Sequence, residues 1–377
     1  MKLTKIFLSI AALAAAIVIN AAPEFVEDEV LVKFKPGSTQ LERLVQGEVI
    51  EEIPNIGVKR IRLPYGWNVP DMVKWFNAQP GVEFAEPNFI ARADVNDQYY
   101  TPSIQWGLFK IQSDSAWNYT GGGSSYRKVA VIDTGWQRNH PDLVGKVVGE
   151  VDYVDGGTAD DGNGHGTHTA GIVGAKTNNT IGVASIGYNT SLLIVRVLNN
   201  SGSGTYSAIA NGINWSANNG AHVINMSLGG SSGSQTLLNA VNYAWGRGVV
   251  VVASAGNNGN TAPNYPAYYS NCIAVASTTS TDARSSFSTY GSWVDVAAPG
   301  SNIASTYTGS RYVYLSGTSM AAPMVAGTAA LVWTSSYGTS ATSVRNRITT
   351  TGDTVTSGFG SYPTKRINAA RAVGAIP

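Results

Sequence analysis

The chain has 377 residues and carries 25 lysines and arginines against 24 aspartates and glutamates, a net charge of +1. Near-neutrality argues against a nucleic-acid or anionic-membrane partner, which a basic excess would attract. A single cysteine, Cys272, excludes an intramolecular disulfide, so stability rests on a large core, and this length allows two domains.

The chain opens with Lys2 and Lys5, an apolar run from Ile6 to Ile19, and the small pair Ala21–Ala22. That is the layout of a secretory signal peptide over residues 1–22, and the run falls short of the ~20 residues a spanning helix needs. No later stretch is apolar enough to cross a bilayer, so the processed protein is expected to be soluble and exported. Glutamates are frequent from Glu24 to Glu86, and only Glu150 follows. This shift marks residues 23–93 as a separate small α+β unit. "EVLVKF", "VKRIRL" and "VEFAEPNF" read as strands. Leu41, Leu44 and Val45 have helical spacing, as do Met72, Val73 and Phe76 behind a cap at Asp71. The alternation predicts ferredoxin-like packing.

Residues 94–377 are poor in charge and rich in Gly, Ser, Thr, Asn and Tyr. The apolar runs "KVAVIDTG", "SLLIVRVL", "HVINMSLGG", "GVVVVASAGN" and "CIAVAST" alternate with helical patterns such as "SAIANGINWSANNG" and "TLLNAVNYAWGRG". This predicts an α/β domain with a mainly parallel sheet and helices on both faces. Cys272 falls in a strand and reads as a packed core thiol. Ligands of such folds bind at the carboxyl ends of the strands, and the reactive side chains follow the apolar runs.

Asp133 ends "VAVID" and is either a turn cap or a site carboxylate. His165 lies in "NGHGTHTAGIVGA"; read as a zinc pair, "HGTH" lacks the glutamate of H-E-x-x-H, and His140 and His222 offer no evident partners. Asn257, after "VVVVASAG", is either a left-handed turn residue or an amide aimed at a developing oxyanion. Ser319, in "GTSMAAP", opens a helical stretch with Pro323 expected in its first turn, where the dipole and free N–H groups favour negative charge. Each residue has a plain explanation; the four together do not.

These motifs, with "INMSLGG" and "SSFSTYGSWVDVAAPGS", resemble the signatures of the subtilisin-like serine peptidases, particularly the thermitase-like members, from about Asn96 to the C-terminus. The acidic region is similar to that family's inhibitor-type propeptide. The resemblance implies that Ser319 attacks the scissile carbonyl, that His165 is the base oriented by Asp133, and that Asn257 with the Ser319 N–H forms the oxyanion hole. His168 matches a structural histidine. Gly202, Ser203 and Gly204, and Ser227, Leu228 and Gly229, match segments that pair with an extended substrate; alone they read as glycine loops. Asn264 matches a position near the pocket for the residue before the cut, whose small neighbours imply a broad preference for large apolar or aromatic side chains.

The resemblance also implies calcium, held by Asp142, by Asp97 and by the loop carrying Thr177, Asn179, Ile181 and Val183. A second cluster gathers Asp152, Asp155, Asp160 and Asp161, although Gly157 stands where a relative has an acid; the alternative is a solvated acidic turn. Two further departures are Ala322 and Met324 after the nucleophile and Thr169 in place of a cysteine. The expectation is a secreted, monomeric endopeptidase acting on protein and peptide substrates. Residues 23–93 would inhibit it intramolecularly until a cut between Phe89 and Asn96, with no nucleic acid bound and no membrane after processing. A silent peptide binder is the competing reading.

Overall fold

The computed structural model describes residues 25–38, 47–89 and 95–376. The chain divides into two compact units, Met1–Ala93 and Asp94–Pro377. The expected leader and the helix around Leu41, Leu44 and Val45 lie outside the described residues.

In the first unit, β1 (Phe25–Phe34), β2 (Glu48–Ile53), β3 (Val58–Arg62) and β4 (Val82–Phe89) form an antiparallel sheet in the order β2-β3-β1-β4. With α1 (Val69–Asn77) between β3 and β4, this is the expected ferredoxin-like arrangement, the last strand returning beside the first. Val30, Val32, Ile61, Val69 and Phe76 form its core. The helix cap differs from expectation. Asn68 accepts the Asp71 N–H at 3.1 Å, so Asp71 lies inside the first turn, where its charge suits the dipole. Strand β2 escaped the sequence pattern because it has no buried face; Glu51 and Glu48 instead pair with Arg60 and Arg62 at 3.3 and 3.4 Å.

The second unit begins with α2 (Trp106–Lys110) and α3 (Ser113–Thr120). There follow β5 (Lys128–Asp133), β6 (Val147–Asp152), α4 (His165–Gly174), β7 (Ser191–Arg196), α5 (Tyr206–Asn218), β8 (Val223–Met226), α6 (Gln235–Gly246), β9 (Val250–Ser254) and β10 (Cys272–Thr278). The chain continues through β11 (Val296–Pro299), the hairpin β12 (Ile303–Tyr307) and β13 (Arg311–Leu315), α7 (Thr318–Thr334), α8 (Ala341–Thr350), β14 (Asp353–Val355), β15 (Thr364–Arg366) and α9 (Ala369–Val373). Nine strands form one sheet, β14-β15-β11-β10-β9-β8-β5-β7-β6, in which only the β14–β15 pair is antiparallel.

Both faces of this sheet are buried, because successive side chains of a strand point to opposite sides. Val129, Val131, Leu192, Ile194, Val250 and Val252 pack with α4 and α7. Their neighbours Ala130, Ile132, Leu193, Val195, Val251 and Ala253 pack on the side of α5 and α6. Thr205 and Ser234 start α5 and α6, each accepting the backbone N–H three residues on. Chain order reverses at β5: β7 and β6 follow on one side, β8 to β11 on the other. A crevice therefore opens at the carboxyl end of β5, beside Asp133.

Cys272 is 1 % exposed within β10, and burial, helped by the nearby Asp295 charge, pushes its thiol far above the usual range. The folded protein is accordingly expected to leave a thiol-specific disulfide reagent unconsumed at pH 8 and to consume one equivalent in denaturant. Rapid reaction of the native protein would contradict this burial.

Candidate active site

Asp133 leaves β5 almost wholly buried, at 1 % exposure, so its carboxylate needs several donors. Oδ1 accepts the Thr134 N–H at 2.7 Å and meets His165 Nδ1 at 2.7 Å, and Oδ2 accepts the Thr169 hydroxyl at 3.3 Å. The threonine noted in place of a cysteine thus adds a donor to this carboxylate. His165 is the first residue of α4, and close packing holds it there. A Cβ on Gly166 would lie 2.2 Å from the Gly135 carbonyl oxygen, so only glycine lets helix and strand exit approach this closely. Burial alone would lower the His165 pKa. The charge and hydrogen bond of Asp133, with the charge of Asp161, outweigh it and hold the imidazole above its ordinary value. His168, one turn on, is buried, and its Nε2 lies 3.1 and 3.2 Å from the Ile303 and Val313 carbonyls. Burial lowers its pKa to about 4, so it is a neutral donor bracing the β12–β13 hairpin.

Ser319 is the second residue of α7. Pro323 therefore sits beyond the first turn, inside the helix, contrary to the sequence expectation. Having no N–H, it cannot bond the Ser319 carbonyl four residues back. The Ser227 hydroxyl takes that place, donating to the Ser319 carbonyl at 2.7 Å, and is itself steadied by the Asn225 amide at 3.1 Å. The Ser319 hydroxyl donates to the Ser227 carbonyl at 3.3 Å. Two bonds thus clasp Ser319 to the end of β8. Asn257 spends its oxygen on Thr318, accepting both the N–H and the hydroxyl at 2.9 Å. Its Nδ2 is left facing the start of α7. A Cβ on Gly317 would lie 3.5 Å from both Asn257 Nδ2 and the Ser319 nitrogen, so two N–H groups flank one small space.

His165, Asn163, Leu198, Gly202, Ser203, Gly204, Tyr206, Ile209, Ser227, Leu228 and Gly229 line a cleft of about 390 Å³. The two segments singled out in the sequence are thus brought together as its walls. Asn264 lies beside it: its Nδ2 donates to the Ser254 carbonyl at 3.1 Å, and a Cβ on Gly229 would come within 2.2 Å of that amide. A Cβ on Gly256 would lie 3.4 Å from the same amide nitrogen.

The expected cation ligands behave differently in their two groups. Asp97 and Asp142 are 5 % and 0 % exposed, and no lysine or arginine pairs with either among the described residues. Burial raises both pKa values against the hydrogen bonds they accept, and on Asp97 the Asp142 charge adds to the rise. The loop 177–183 wraps this pair. Asn178 and Asn179 N–H groups donate to Asp97, and the Asn179 amide and Val183 N–H donate to Asp142. Thr177 closes the loop through the Ser185 N–H, and the Ile181 N–H bonds the Asn179 side chain. Two buried carboxylates with no cationic side chain beside them leave negative charge on hard oxygen atoms in this loop. Asp152 and Asp155 instead converge on Arg196 Nη1 at 2.7 and 2.8 Å. One guanidinium thus offsets one of the two charges that the resemblance assigns to a second calcium site.

Sequence reasoning left Asp161 in the acidic turn. In the fold it lies under the first turn of α4 and accepts from Thr134, Asn163, Gly164 and Thr167. The signal was local: an aspartate two and three residues before small or amide residues is the pattern of an Asx turn. The Ser227 hydroxyl was also missed as a contact of Ser319, since nothing local connects the two.

Comparison with known proteins accords with this geometry. The model of the subtilase family (Peptidase_S8) matches residues 125–368, and that of the fervidolysin N-terminal prodomain matches residues 11–88. The chain is 58% identical to thermitase of Thermoactinomyces vulgaris over 280 residues, 74% of this chain and 98% of that one. It is 46% identical to a thermophilic serine proteinase of Bacillus sp. strain AK1 over 360 residues, 93% and 88% of the two chains. A solved protease of Pseudoalteromonas arctica superposes with a TM-score of 0.69 at 35% identity, covering 75% of this chain and 99% of that one. An α/β unit built around a nine-stranded sheet, preceded by a prodomain, is therefore what its sequence and fold together say: the chain belongs to the subtilase family of serine proteases.

Proposed function

We propose that the protein is a secreted endopeptidase made as a self-processing precursor, in which Asp133, His165 and Ser319 form the catalytic triad. The 2.7 Å Asp133–His165 contact carries this reading. It fixes the imidazole with Nδ1 toward the carboxylate and leaves Nε2 for the nucleophile. In the reaction the Ser319 hydroxyl turns from the Ser227 carbonyl to His165, which takes its proton as the oxygen attacks the peptide carbonyl. His165 then returns the proton to the leaving amine, while Asn257 Nδ2 and the Ser319 N–H receive the oxyanion. An extended substrate pairs with Gly202–Gly204 and Ser227–Gly229 by strand addition. The small, uncharged neighbours of Asn264, Gly229 and Gly256, support a broad preference for large apolar or aromatic residues before the cut. The N-terminal unit acts as the intramolecular inhibitor, the leader pattern supports export, and the low surface charge supports a free monomer with neither nucleic acid nor, after processing, membrane as partner.

Calcium belongs to this reading. Asp97, Asp142, the Asn179 amide and carbonyls of Thr177, Ile181 and Val183 would hold it, joining the start of the second unit to the loop after α4. When bound, it supplies positive charge to two buried carboxylates and takes no part in the chemistry.

Three outcomes follow. Without its signal peptide, the wild-type chain is expected to mature near Ala93, as read by intact mass and N-terminal sequencing, and Ser319→Ala to remain a full-length precursor. If both stay uncut although folded and supplied with calcium, the silent-binder reading prevails. Because only neutral imidazole is the base and its pKa is raised, kcat/KM should climb with pH along a limb above the ordinary histidine value. Activity flat down to pH 4 would remove His165 from that role. Saturating calcium should raise the thermal midpoint of the Ser319→Ala chain relative to chelator, on the order of 5–10 °C at a hundredfold excess over Kd. The gain should shrink markedly in Asp142→Asn, and an equal gain there would disprove the site.

A further inference from the structure

Asp161 makes a set of contacts that a solvated turn residue does not need. Its Oδ1 accepts the Thr134 hydroxyl at 2.8 Å, the Asn163 N–H at 2.9 Å and the Gly164 N–H at 2.8 Å. Its Oδ2 accepts the Thr167 N–H at 2.8 Å and the Thr167 hydroxyl at 2.6 Å. Thr134 directly follows Asp133, and its oxygen also accepts the Gly166 N–H at 2.8 Å. Gly164 and Thr167 bracket His165 on α4. One carboxylate is thus the common acceptor for the two backbone segments that carry Asp133 and His165. Burial alone would raise the Asp161 pKa, but donors from Gly164, Thr167 and Thr134 bring it below the usual range, so Asp161 stays charged at working pH.

We propose that Asp161 is a positioning residue for the catalytic histidine: its carboxylate fixes the separation of the Asp133 and His165 backbones and, through its charge, favours the imidazolium that forms in the reaction. This rests on the reading of His165 as the base. Asp161 touches neither the substrate nor the reacting atoms; it acts on His165 through the first turn of α4 and through space. Few other groups share that field. Asp133 faces His165 from β5, and His168, on the same helix, is neutral above about pH 4. From β12, the Tyr307 hydroxyl donates to the Asn163 carbonyl at 3.0 Å, and the Arg311 guanidinium lies over the Tyr307 ring, 5.3 Å from its centroid. The segment 198–205 and the whole of α7 contain no charged side chain. Removing the Asp161 charge should therefore register at His165 without a substitute.

The test uses the matured enzyme in two forms. In a Ser319→Ala chain freed of its N-terminal unit by added wild-type enzyme, the His165 imidazole is titrated by NMR with and without Asp161→Asn. In the active chain, kcat and KM are measured against pH. Asp161→Asn should move the His165 midpoint and the acid limb of kcat/KM together toward lower pH. It should also cut kcat roughly 10–100-fold with KM within about twofold, as expected of a misplaced catalytic group. An unmoved midpoint with wild-type kcat, or a rise in KM alone, overturns the proposal. If circular dichroism shows Asp161→Asn unfolded, Asp161→Glu takes over. With the charge kept and the short arm lost, the limb should stay in place while kcat falls, and wild-type kcat would overturn the proposal. Should the wild-type limb fail to follow the His165 midpoint, the base assignment falls instead. The imidazole titration then still decides whether Asp161 governs that ring.

Discussion

The hydrogen bond from His165 to Asp133 ties the exit of a central strand to the first residue of a buried helix, and much of the second unit exists to hold those two ends still. The carboxylate lies where the order of the sheet reverses, the one place at which crossovers diverge and leave a crevice. It is buried, so it must be supplied with donors, and it draws them from the strand exit, the helix and the imidazole. The helix can come this close only because Gly166 has no Cβ to strike the Gly135 carbonyl. Both faces of the sheet are covered, which gives the rigidity such a placement needs.

The helix that carries Ser319 breaks a local rule and is compensated across the fold. Proline in a helix interior forfeits a hydrogen bond and crowds the preceding turn, a cost of about 3 kcal/mol when nothing else intervenes. Here the carbonyl it orphans is that of Ser319, and the Ser227 hydroxyl completes it. The exception fastens the proposed nucleophile to the strand end that forms one wall of the cleft. Asn257 works by a similar exclusion: with its oxygen committed to Thr318, the amide can present only its nitrogen beside the Ser319 N–H. Orientation of both groups follows from which of their atoms are already bonded.

Buried and half-buried acids show how differently one chemical problem can be met. Asp152 is met by a guanidinium, Asp161 by five backbone and hydroxyl donors, and Asp133 by an imidazole with two further donors. Among the described residues Asp97 and Asp142 have only neutral donors and each other, which leaves a charge for a cation to meet. In sequence these residues look alike. Their chemical roles depend on what the fold places within about 3 Å of each oxygen.

Most of the sheet was legible, since runs such as "KVAVID" and "CIAVAST" carry β-branched side chains on both faces and end in turn residues. Asp133, His165, Asn257 and Ser319 were legible for the same reason: each sits where a regular element starts or stops, and such ends have local signatures. Strand β2 was not, because its face is charged, nor were the three-residue strands β14 and β15, too short to show a period. The place of Pro323 was misread because the exact start of a helix depends on tertiary contacts. The sequence by itself determined the element types, the two-unit division and the residues able to do chemistry, because periodicity and end signals act over a few neighbouring positions. Only the tertiary structure decided that Arg196 pairs with Asp152 and Asp155, that Ser227 completes Ser319, and that Asp161 serves Thr134 and Thr167. Those partners lie up to 92 residues apart, and hydrogen-bond and charge compensation depend on distance in space.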